Sequence, residues 1–294
     1  MNGYTDAMLK RPLAVAPDSR TLPPSAADAA RRASETLDRL DALMAELIAE
    51  DREYQPVERD FALPEGFKLS VVMPVYNEEA TIRPIVTRVL RMPAPLELII
   101  VDDGSRDGTR AALHELAELP NVTVLLKPQN EGKGAALRTG FQHATGDVVV
   151  VQDADLEYDP ADLLGVIEPL VTGEADVVYG SRFLNGETAR NSSLLHRLGN
   201  RTLTIASNLL TGYRLTDMET CYKAFRTEVI RDLPLRQDRF GFEPEVTAKL
   251  ARRGRRIVER PIRYNARDFG EGKKIGVRDG LNALWCILRY RWAD

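Results

Sequence analysis

Carboxylates follow three of the strands that the sequence predicts, at the points where those strands end. Glu78 follows the first apolar run, Asp102 and Asp103 follow the second, and Asp153 and Asp155 follow the fourth. Like charges gathered at one edge of a sheet repel each other unless a cation or hydrogen-bond donors satisfy them. Asp-x-Asp directly after a buried strand suits Mg²⁺ or Mn²⁺ held together with substrate phosphates. The pattern therefore predicts metal-assisted chemistry on a phosphate-bearing substrate.

A glycine-rich segment further along the chain resembles a phosphate loop but lacks its key residues. It reads Gly132-Lys133-Gly134, and no Ser or Thr follows the lysine as a P-loop requires. Leu137 stands where a dinucleotide-binding loop has its third glycine. An NTPase and a dinucleotide-dependent dehydrogenase are therefore disfavoured. A sugar nucleotidyltransferase is disfavoured as well, since it needs a Gly-rich, Arg-containing loop where this chain has Tyr76-Asn-Glu-Glu79.

The elements that must position these carboxylates alternate between strands and helices from Lys68 onward. Apolar, β-branched runs separated by helical stretches predict a mostly parallel sheet covered on both faces. In such sheets ligands bind outside the carboxyl ends of the strands. We therefore predict one α/β domain over residues 67–294. Its strands are expected at 69–75, 96–101, 122–126, 147–152 and 175–179, and its helices at 79–91, 109–119, 135–144 and 159–170.

Residues 1–66 form an extension of different composition. The first 27 or so residues are rich in Pro, Ala, Ser and Asp and predict a mobile tail, and a helix is expected over residues 27–53. The apolar positions of this helix follow heptad spacing, which fits either docking on the catalytic domain or a short coiled-coil homodimer. These positions are Ala33, Leu37, Leu40, Met44 and Leu47.

Composition excludes several classes of protein. The 294 residues carry 40 basic and 44 acidic side chains, and the resulting charge of −4 argues against bulk nucleic-acid binding. Two cysteines make no disulfide scaffold and favour a reducing, cytoplasmic setting. No apolar run approaches the roughly 20 residues that span a bilayer, and residues 1–18 lack the apolar core of a signal peptide. Residues 252–294 are basic, with 12 basic and 5 acidic side chains, which suits either a solvated face or contact with phosphate.

Four motifs in this order resemble those of the family 2 glycosyltransferases. They are Val71-Val-Met-Pro-Val-Tyr-Asn-Glu-Glu79, Val101-Asp-Asp-Gly-Ser105, Asn130-Glu-Gly-Lys-Gly134 and Asp153-Ala-Asp-Leu-Glu157. Two later segments, Gly180-Ser-Arg182 and residues 264–274, are most similar to the branch of dolichol-phosphate mannosyltransferases and polyprenyl-phosphate glucosyltransferases. The resemblance implies a GT-A fold and inverting transfer of a hexose from a GDP-mannose or UDP-glucose type of donor.

The resemblance also implies roles for the donor-side residues. Asp153 and Asp155 would hold Mg²⁺ or Mn²⁺ against the diphosphate, Glu157 would complete the metal shell, and Lys133 would contact the nucleotide. Carboxylates also suit the hydroxyls of a ribose or the N–H edge of a base. The residues implied to hold the nucleoside are Pro74, Tyr76, Glu78 and Asp103.

The acceptor side leaves two alternatives open. In the lipid-phosphate branch, basic residues matching Arg182, Arg267 and Lys273 bind the donor diphosphate and the acceptor phosphate. A polyprenyl phosphate is already an anion and needs no base, whereas a glycan or small-molecule hydroxyl does. The segment from residue 216 to 223 departs from the branch, and its Asp217 and Glu219 could supply that base, with a helix cap and a structural pair as the alternative.

The last stretch of the chain, residues 280–292, is expected to form a short amphipathic helix. Leu281, Leu284, Trp285 and Leu288 lie on one face, with Arg289 and Arg291 at the end. Such a stripe either packs on the domain or contacts a membrane surface. The sequence therefore favours a cytoplasmic enzyme and leaves open a peripheral position on the inner face of the membrane.

Overall fold

The computed structural model describes residues 26–55, 58–184, 194–265 and 277–292. The chain divides into two compact units, residues 1–43 and residues 44–294. Most of the predicted tail lies outside the described residues. The predicted N-terminal helix is present as α1 (Ala26–Glu50), which begins in the first unit and ends in the second.

The second unit contains a mixed seven-stranded sheet with strand order β3-β2-β1-β4-β6-β5-β7. Strand β6 is antiparallel to both β4 and β5, while the other described pairings are parallel. The prediction of a mostly parallel α/β sheet is therefore confirmed. The strands are β1 (Leu69–Val75), β2 (Leu96–Asp102), β3 (Val122–Leu126), β4 (Val148–Val151), β5 (Val177–Ser181), β6 (Lys223–Arg226) and β7 (Ile257–Pro261).

Helices cover the sheet and connect its strands. Apolar residues of β1, β2 and β4 are almost completely buried, which is the pattern of strands enclosed on both faces. The helices after α1 are α2 (Ile82–Leu90), α3 (Thr109–Leu116), α4 (Lys133–His143), α5 (Leu163–Val171), α6 (Leu194–Thr211), α7 (Thr227–Arg231), α8 (Phe242–Arg252) and α9 (Val277–Trp292). No helix within the described ranges is both long enough and apolar enough to cross a membrane.

The end of α1 that belongs to the second unit is tied to α2 by charge. Arg83 contacts Glu46 at 2.7 Å and Glu50 at 3.0 Å, and Arg88 contacts Asp51 at 2.6 Å. Leu47 is fully buried. This part of the extension therefore packs on the α/β domain, which is one of the two alternatives that the sequence predicted. A homodimer through the helix stays a prediction.

Strand direction brings the predicted site residues to one edge of the sheet. Because β1, β2, β4 and β5 run the same way, their carboxyl ends meet there. Asp155 lies just beyond β4, and Arg182 directly follows β5. The antiparallel β6 begins at this edge, so the segment that carries Asp217 and Glu219 also arrives there.

Candidate active site

The Asp-x-Asp turn opens the site at the end of β4. Asp153 and Asp155 are half-buried, and the Ala154 between them is packed inward at 3% exposure. The Glu157 backbone N–H donates to Oδ1 of Asp155 at 3.2 Å, and Leu156 takes a left-handed conformation with φ of +61°. This turn holds two carboxylates at the mouth of the edge, where carboxylate oxygens suit a hard divalent cation.

Lys133 supplies positive charge next to this turn. Its Nζ lies 3.0 Å from Oδ2 of Asp153 and 3.4 Å from Oε1 of Glu243. Burial alone would lower the pKa of Lys133, but Asp153 and Glu243 outweigh it and hold that pKa well above its usual range. A permanent cation therefore bridges the metal-binding candidate Asp153 and the first turn of α8.

Two glycines allow Lys133 to take this position. A Cβ at Gly132 would lie 2.4 Å from the backbone oxygen of Asp238, and one at Gly134 would lie 2.2 Å from that of Gln237. Gly132 also has φ of +108°, a conformation that favours glycine. The Ala135 N–H donates to Asp238 O at 3.0 Å, so the start of α4 is seated against the loop before α8.

Asp103 fixes the neighbouring loop. Its buried carboxylate accepts hydrogen bonds from the backbone N–H groups of Glu131 at 3.0 Å and Gly132 at 2.6 Å, and Lys127 Nζ lies 3.1 Å away. Asp103 therefore holds the loop at residues 131–132 in place beside the site. Its predicted contact with a nucleoside stays a prediction.

The other predicted nucleoside residues lie after β1. Pro74 and Tyr76 are half-buried, and Glu78 accepts a hydrogen bond from the Thr81 hydroxyl at 2.9 Å through Oε2. The Glu78 N–H donates to Thr109 Oγ1 at 2.9 Å. The bond to Thr109 joins the loop after β1 to the start of α3, which follows the loop that carries Asp103.

Arg182 and Asp217 form a buried, forked ion pair. Nε of Arg182 lies 2.7 Å from Oδ2 of Asp217, and its second guanidinium nitrogen lies 2.8 Å from Oδ1. Asn200 of α6 donates a further hydrogen bond to Oδ1 at 2.9 Å, and the Tyr264 ring lies 5.1 Å from the guanidinium carbon. Burial would raise the pKa of Asp217, but Arg182 lowers it below its usual range.

This pairing argues against Asp217 as a general base. Its side chain is inaccessible to solvent, and both of its oxygens already accept hydrogen bonds. A base must reach the proton that it removes, and its pKa should lie near the working pH. The geometry supports a different task, which is to hold Arg182 in one orientation.

Glu219 contrasts with Asp217. Its Oε1 and the Oε2 of Glu243 are buried and have no hydrogen-bond partner among the described residues. Burial, followed by the charge of Glu243, raises the pKa of Glu219 to about 8. Burial also lowers the pKa of nearby Lys223 to about 8, although Glu243 and Glu219 oppose that shift. The site therefore contains two buried carboxyl oxygens that no described residue satisfies.

The predicted metal ligands fit a cation only in part. Across the parts of the chain that the structure describes, no three Asp, Glu, His or Cys side chains are grouped to hold a metal ion. Glu157 accepts a hydrogen bond from the Tyr264 hydroxyl at 3.0 Å. Asp153 and Asp155 offer the hard oxygen ligands that Mg²⁺ takes when phosphates complete its shell. The predicted phosphate-binding residues Arg267 and Lys273 lie outside the described residues.

The profile of "Glycosyl transferase family 2" matches residues 70–233, which include the Asp-x-Asp turn, Arg182, Asp217 and Glu219. The chain belongs to this family. It is therefore a glycosyltransferase, as the motifs predicted, and the residues of the site can be considered as parts of such an enzyme.

Two relatives and one solved structure give this glycosyltransferase its context. It is 33% identical over 242 residues to the undecaprenyl-phosphate mannosyltransferase of Micrococcus luteus, covering 76% of this chain and 98% of that one. It is 30% identical over 212 residues to the undecaprenyl-phosphate 4-deoxy-4-formamido-L-arabinose transferase of Sodalis glossinidius, covering 70% of this chain and 62% of the relative.

The solved structure is that of glucosyl-3-phosphoglycerate synthase from Mycobacterium tuberculosis with uridine diphosphate. It superposes with a TM-score of 0.60 at 24% sequence identity and covers 78% of this chain and 82% of that one. This likeness, together with the sheet described above, confirms the predicted GT-A fold.

Two residues of this glycosyltransferase site were not predicted from the sequence. Glu243 reaches Lys133 from α8, and Asn200 reaches Asp217 from α6. Neither lies in a recognised motif, and each pairs with a residue far away along the chain. The only local signal was the pair of glycines around Lys133, which marks a close approach without naming the partner.

Proposed function

We propose that this glycosyltransferase moves a hexose from a nucleotide sugar to a polyprenyl phosphate, with a divalent metal and with inversion at the anomeric carbon. The observation that carries the proposal is the Arg182–Asp217 pair at the edge that also bears Asp153 and Asp155. This pair places the buried guanidinium of Arg182 beside the donor residues. It also engages the carboxylate of Asp217, which could otherwise have served as a base. The names of both relatives, each an undecaprenyl-phosphate glycosyltransferase, support the same acceptor class.

On the donor side, Asp153 and Asp155 would hold Mg²⁺ or Mn²⁺, with Glu157 as a third ligand. When bound, the metal neutralises charge that develops on the departing nucleoside diphosphate. Lys133 would lie against the diphosphate or nucleotide, because it is permanently charged and anchored by Asp153 and Glu243. The nucleoside would contact Pro74, Tyr76, Glu78 and Asp103.

On the acceptor side, Arg182 would orient the phosphate, with Arg267 and Lys273 as further cations. A guanidinium is suited to bind phosphate oxygens at a fixed angle, and Asp217 fixes that angle here. An acceptor phosphate oxygen attacks the anomeric carbon as the bond from that carbon to the donor diphosphate breaks. The oxygen is already ionised, so the step needs no proton acceptor, and attack from the opposite side inverts the anomeric centre.

A second candidate acceptor is a glycan or small-molecule hydroxyl. Glu219 favours it, because one of its oxygens has no partner among the described residues and its pKa is raised to about 8. A carboxyl group with such a pKa is partly ionised near neutral pH, and its ionised fraction can take a proton from an attacking hydroxyl. The two candidates share the donor chemistry and differ in whether Glu219 is essential.

The reaction would take place on the cytoplasmic side of a membrane. Two buried free cysteines fit a reducing compartment, and an acceptor with a long apolar chain resides in a bilayer. The sugar of the donor stays open, because the two relatives are named for different sugars.

The proposal is tested by following release of nucleoside diphosphate from GDP-mannose and UDP-glucose, with and without a short polyprenyl phosphate and with Mg²⁺, Mn²⁺ or chelator. We expect release to depend on the lipid phosphate and on metal, and to disappear in Asp155→Ala. The matched control is Asp232→Ala, an exposed aspartate after α7. Donor hydrolysis that ignores the lipid but responds to a hydroxyl acceptor, and that is lost in Glu219→Gln, would instead establish the second candidate.

A further inference from the structure

Exposed apolar side chains are concentrated on two helices of the second unit. Within the described residues, eleven large hydrophobic side chains are exposed, and seven of them lie on α6 and α9. Large exposed apolar patches on a folded protein usually mark contact with a partner or a membrane. The seven are Leu198, Ile205, Leu209, Leu284, Trp285, Leu288 and Trp292.

The seven side chains fall on one face of each helix. On α6 the exposed positions 198, 205 and 209 are spaced by seven and four residues, while Asn200, Thr204 and Ser207 are buried on the opposite face. On α9 the exposed positions 284, 285, 288 and 292 alternate with buried Ala283, Cys286, Ile287 and Tyr290. Helices α6 and α9 pack against each other, so the two outer faces are neighbours. We call them together the α6–α9 surface.

The stretches of α6 and α9 that carry these exposed side chains hold basic residues without acidic ones, and Asp279 lies before them in the first turn of α9. Residues 194–211 and 280–292 contain no Asp or Glu, although the whole chain has 44 acidic residues. Their arginines are Arg197 and Arg201 on α6 and Arg289 and Arg291 on α9. Arg289 lies over the Trp285 ring at 5.1 Å, and Arg291 lies over the Trp292 ring at 4.8 Å. Trp and Arg side chains beside aliphatic ones are typical of helices that lie in a membrane interface.

Helix α6 connects this surface to the catalytic edge. Asn200 on its inner face donates to Asp217, which holds Arg182, while Leu198 and Arg201 are exposed on its outer side. A bilayer that contacts the outer face would therefore lie within one helix thickness, on the order of 10 Å, of the Asp217–Arg182 pair.

We propose that the α6–α9 surface docks on an anionic lipid bilayer and brings the site to a lipid-bound acceptor; the second half of this statement rests on the proposed function. Charge complementarity decides between a membrane and a second copy of the chain. Two copies joined through the same surface would bring eight arginines together, and the stretches 194–211 and 280–292 that carry them contain no acidic partner, whereas anionic headgroups neutralise them. The sequence predicted membrane contact as one alternative for residues 280–292. The proposal adds α6 to the contact surface and fixes the orientation of the molecule on the bilayer.

The two tryptophans of the chain report on this surface directly, because both Trp285 and Trp292 belong to it. We would add vesicles of neutral phosphatidylcholine, or of the same lipid with 30% phosphatidylglycerol, to the full chain at low salt, with no polyprenyl phosphate present. We expect a blue shift of tryptophan emission and co-sedimentation with the anionic vesicles, weakened by about 10-fold or more at high salt. Quenching by brominated acyl chains should accompany the shift.

The test variant is Leu209→Ser combined with Leu288→Ser, which leaves both tryptophans in place. We expect it to reduce partitioning onto anionic vesicles by about 10-fold. The matched control is Leu126→Ser, which changes an exposed leucine at the end of β3, away from this surface. Circular dichroism and thermal melting of all variants exclude misfolding as the cause of any loss.

Two results would overturn the proposal. One is tryptophan emission that does not change when either kind of vesicle is added. The other is that light scattering shows the wild type as a dimer, and that the double variant Leu209→Ser, Leu288→Ser is a monomer with unchanged vesicle binding. Failure of the proposed function is distinguishable, because vesicle binding is measured without acceptor. If the proposed function also holds, the double variant should lose transfer to polyprenyl phosphate in vesicles but keep transfer to a short, water-soluble one.

Discussion

Two glutamates at opposite edges of the same sheet have opposite pKa shifts. Glu97, at the start of β2, accepts hydrogen bonds from the Ser70 hydroxyl at 2.5 Å and the Thr145 N–H at 2.6 Å, and its second oxygen pairs with Lys68 at 2.6 Å. Burial would raise the pKa of Glu97, but these partners outweigh it and lower that pKa to about 2. At the carboxyl edge, burial and Glu243 raise the pKa of Glu219 to about 8.

The two edges differ in whether their glutamates are satisfied by hydrogen-bond donors. Both oxygens of Glu97 have donors, and its carboxylate joins the starts of β1, β2 and β4. At the Glu219 edge, carboxyl oxygens are buried without donors among the described residues, an arrangement that costs stability unless a ligand satisfies it. A carboxylate such as Glu97, whose hydrogen-bond partners are supplied by the fold, stabilises the fold. A carboxylate such as Glu219, with an oxygen that no described residue satisfies, can accept a hydrogen bond from a substrate.

The largest effect that we predict belongs to Asp155 at the carboxyl edge. Asp155→Ala should lower the rate of lipid-dependent transfer about 1,000-fold, which is about 4 kcal/mol of transition-state stabilisation. The midpoint of thermal unfolding should change little, because the residue serves the ligand more than the fold. Initial rates and melting curves of Asp155→Ala and of the control Asp232→Ala provide the comparison. A large loss of stability with retained activity would place Asp155 with the structural residues.

The Arg182–Asp217 pair combines both tasks. Arg182→Met should destabilise the protein by about 3 kcal/mol, because it leaves a fully buried carboxylate without its cation. The double variant Arg182→Met, Asp217→Leu should recover most of that stability but none of the transfer activity. Urea unfolding and activity of both single variants and the double variant measure this. Recovery of activity in the double variant would contradict the proposed role of Arg182.

Glu97→Gln tests the stabilising edge through pH. The lowered pKa means that the ionised form is favoured on folding, so its contribution is present above about pH 4.5 and is lost as pH falls toward 2. We expect the variant to be less stable by about 2 kcal/mol at pH 7 and the difference to shrink below pH 4. Urea unfolding between pH 3 and pH 7 is the measurement. Transfer activity at pH 7 should remain near that of the wild type.

Glu219→Gln should show the opposite dependence of stability on pH and the smallest effect on transfer. The raised pKa means that the protonated form is favoured on folding, so this contribution is present below about pH 4.5 and is lost as pH rises through 8. The variant should therefore become progressively more stable than the wild type as pH rises from 5 to 8, which urea unfolding across this range measures. With a polyprenyl phosphate as acceptor, we expect its transfer rate to stay within about 3-fold of the wild type.

The parallel half of the sheet, strands β1 to β4, was predictable from the sequence because these strands are continuous apolar runs. The predicted strand at 69–75 coincides with β1, and the one at 122–126 coincides with β3. Strand β6 was not predicted, since Lys223–Arg226 is only four residues long and has a charged residue at each end. Its lysine is nevertheless buried, where it donates to the Met218 backbone oxygen at 2.9 Å.

The candidate site was predictable as far as its residues lie in contiguous motifs. Strand direction was enough to expect Asp153 at the carboxyl edge, while Lys133 was assigned to the nucleotide only through the family resemblance of its motif. The commitment of Asp217 to Arg182 was not predictable, because residues near 217 and 182 pair only through the order of β5 and β6. Spacing likewise gave no signal that Glu243 would lie beside Lys133, since α8 is placed by packing rather than by local pattern.

The bond formed in the product tests the central claim most directly. A short polyprenyl phosphate would be incubated with each nucleotide sugar and metal, and the lipid product would be examined by mass spectrometry and phosphorus NMR. The account predicts a lipid whose mass has increased by one anhydrohexose and whose phosphate is a diester linked to the anomeric carbon with inverted configuration. An unmodified lipid phosphate, with the sugar found on a hydroxyl acceptor and its transfer lost in Glu219→Gln, would contradict it.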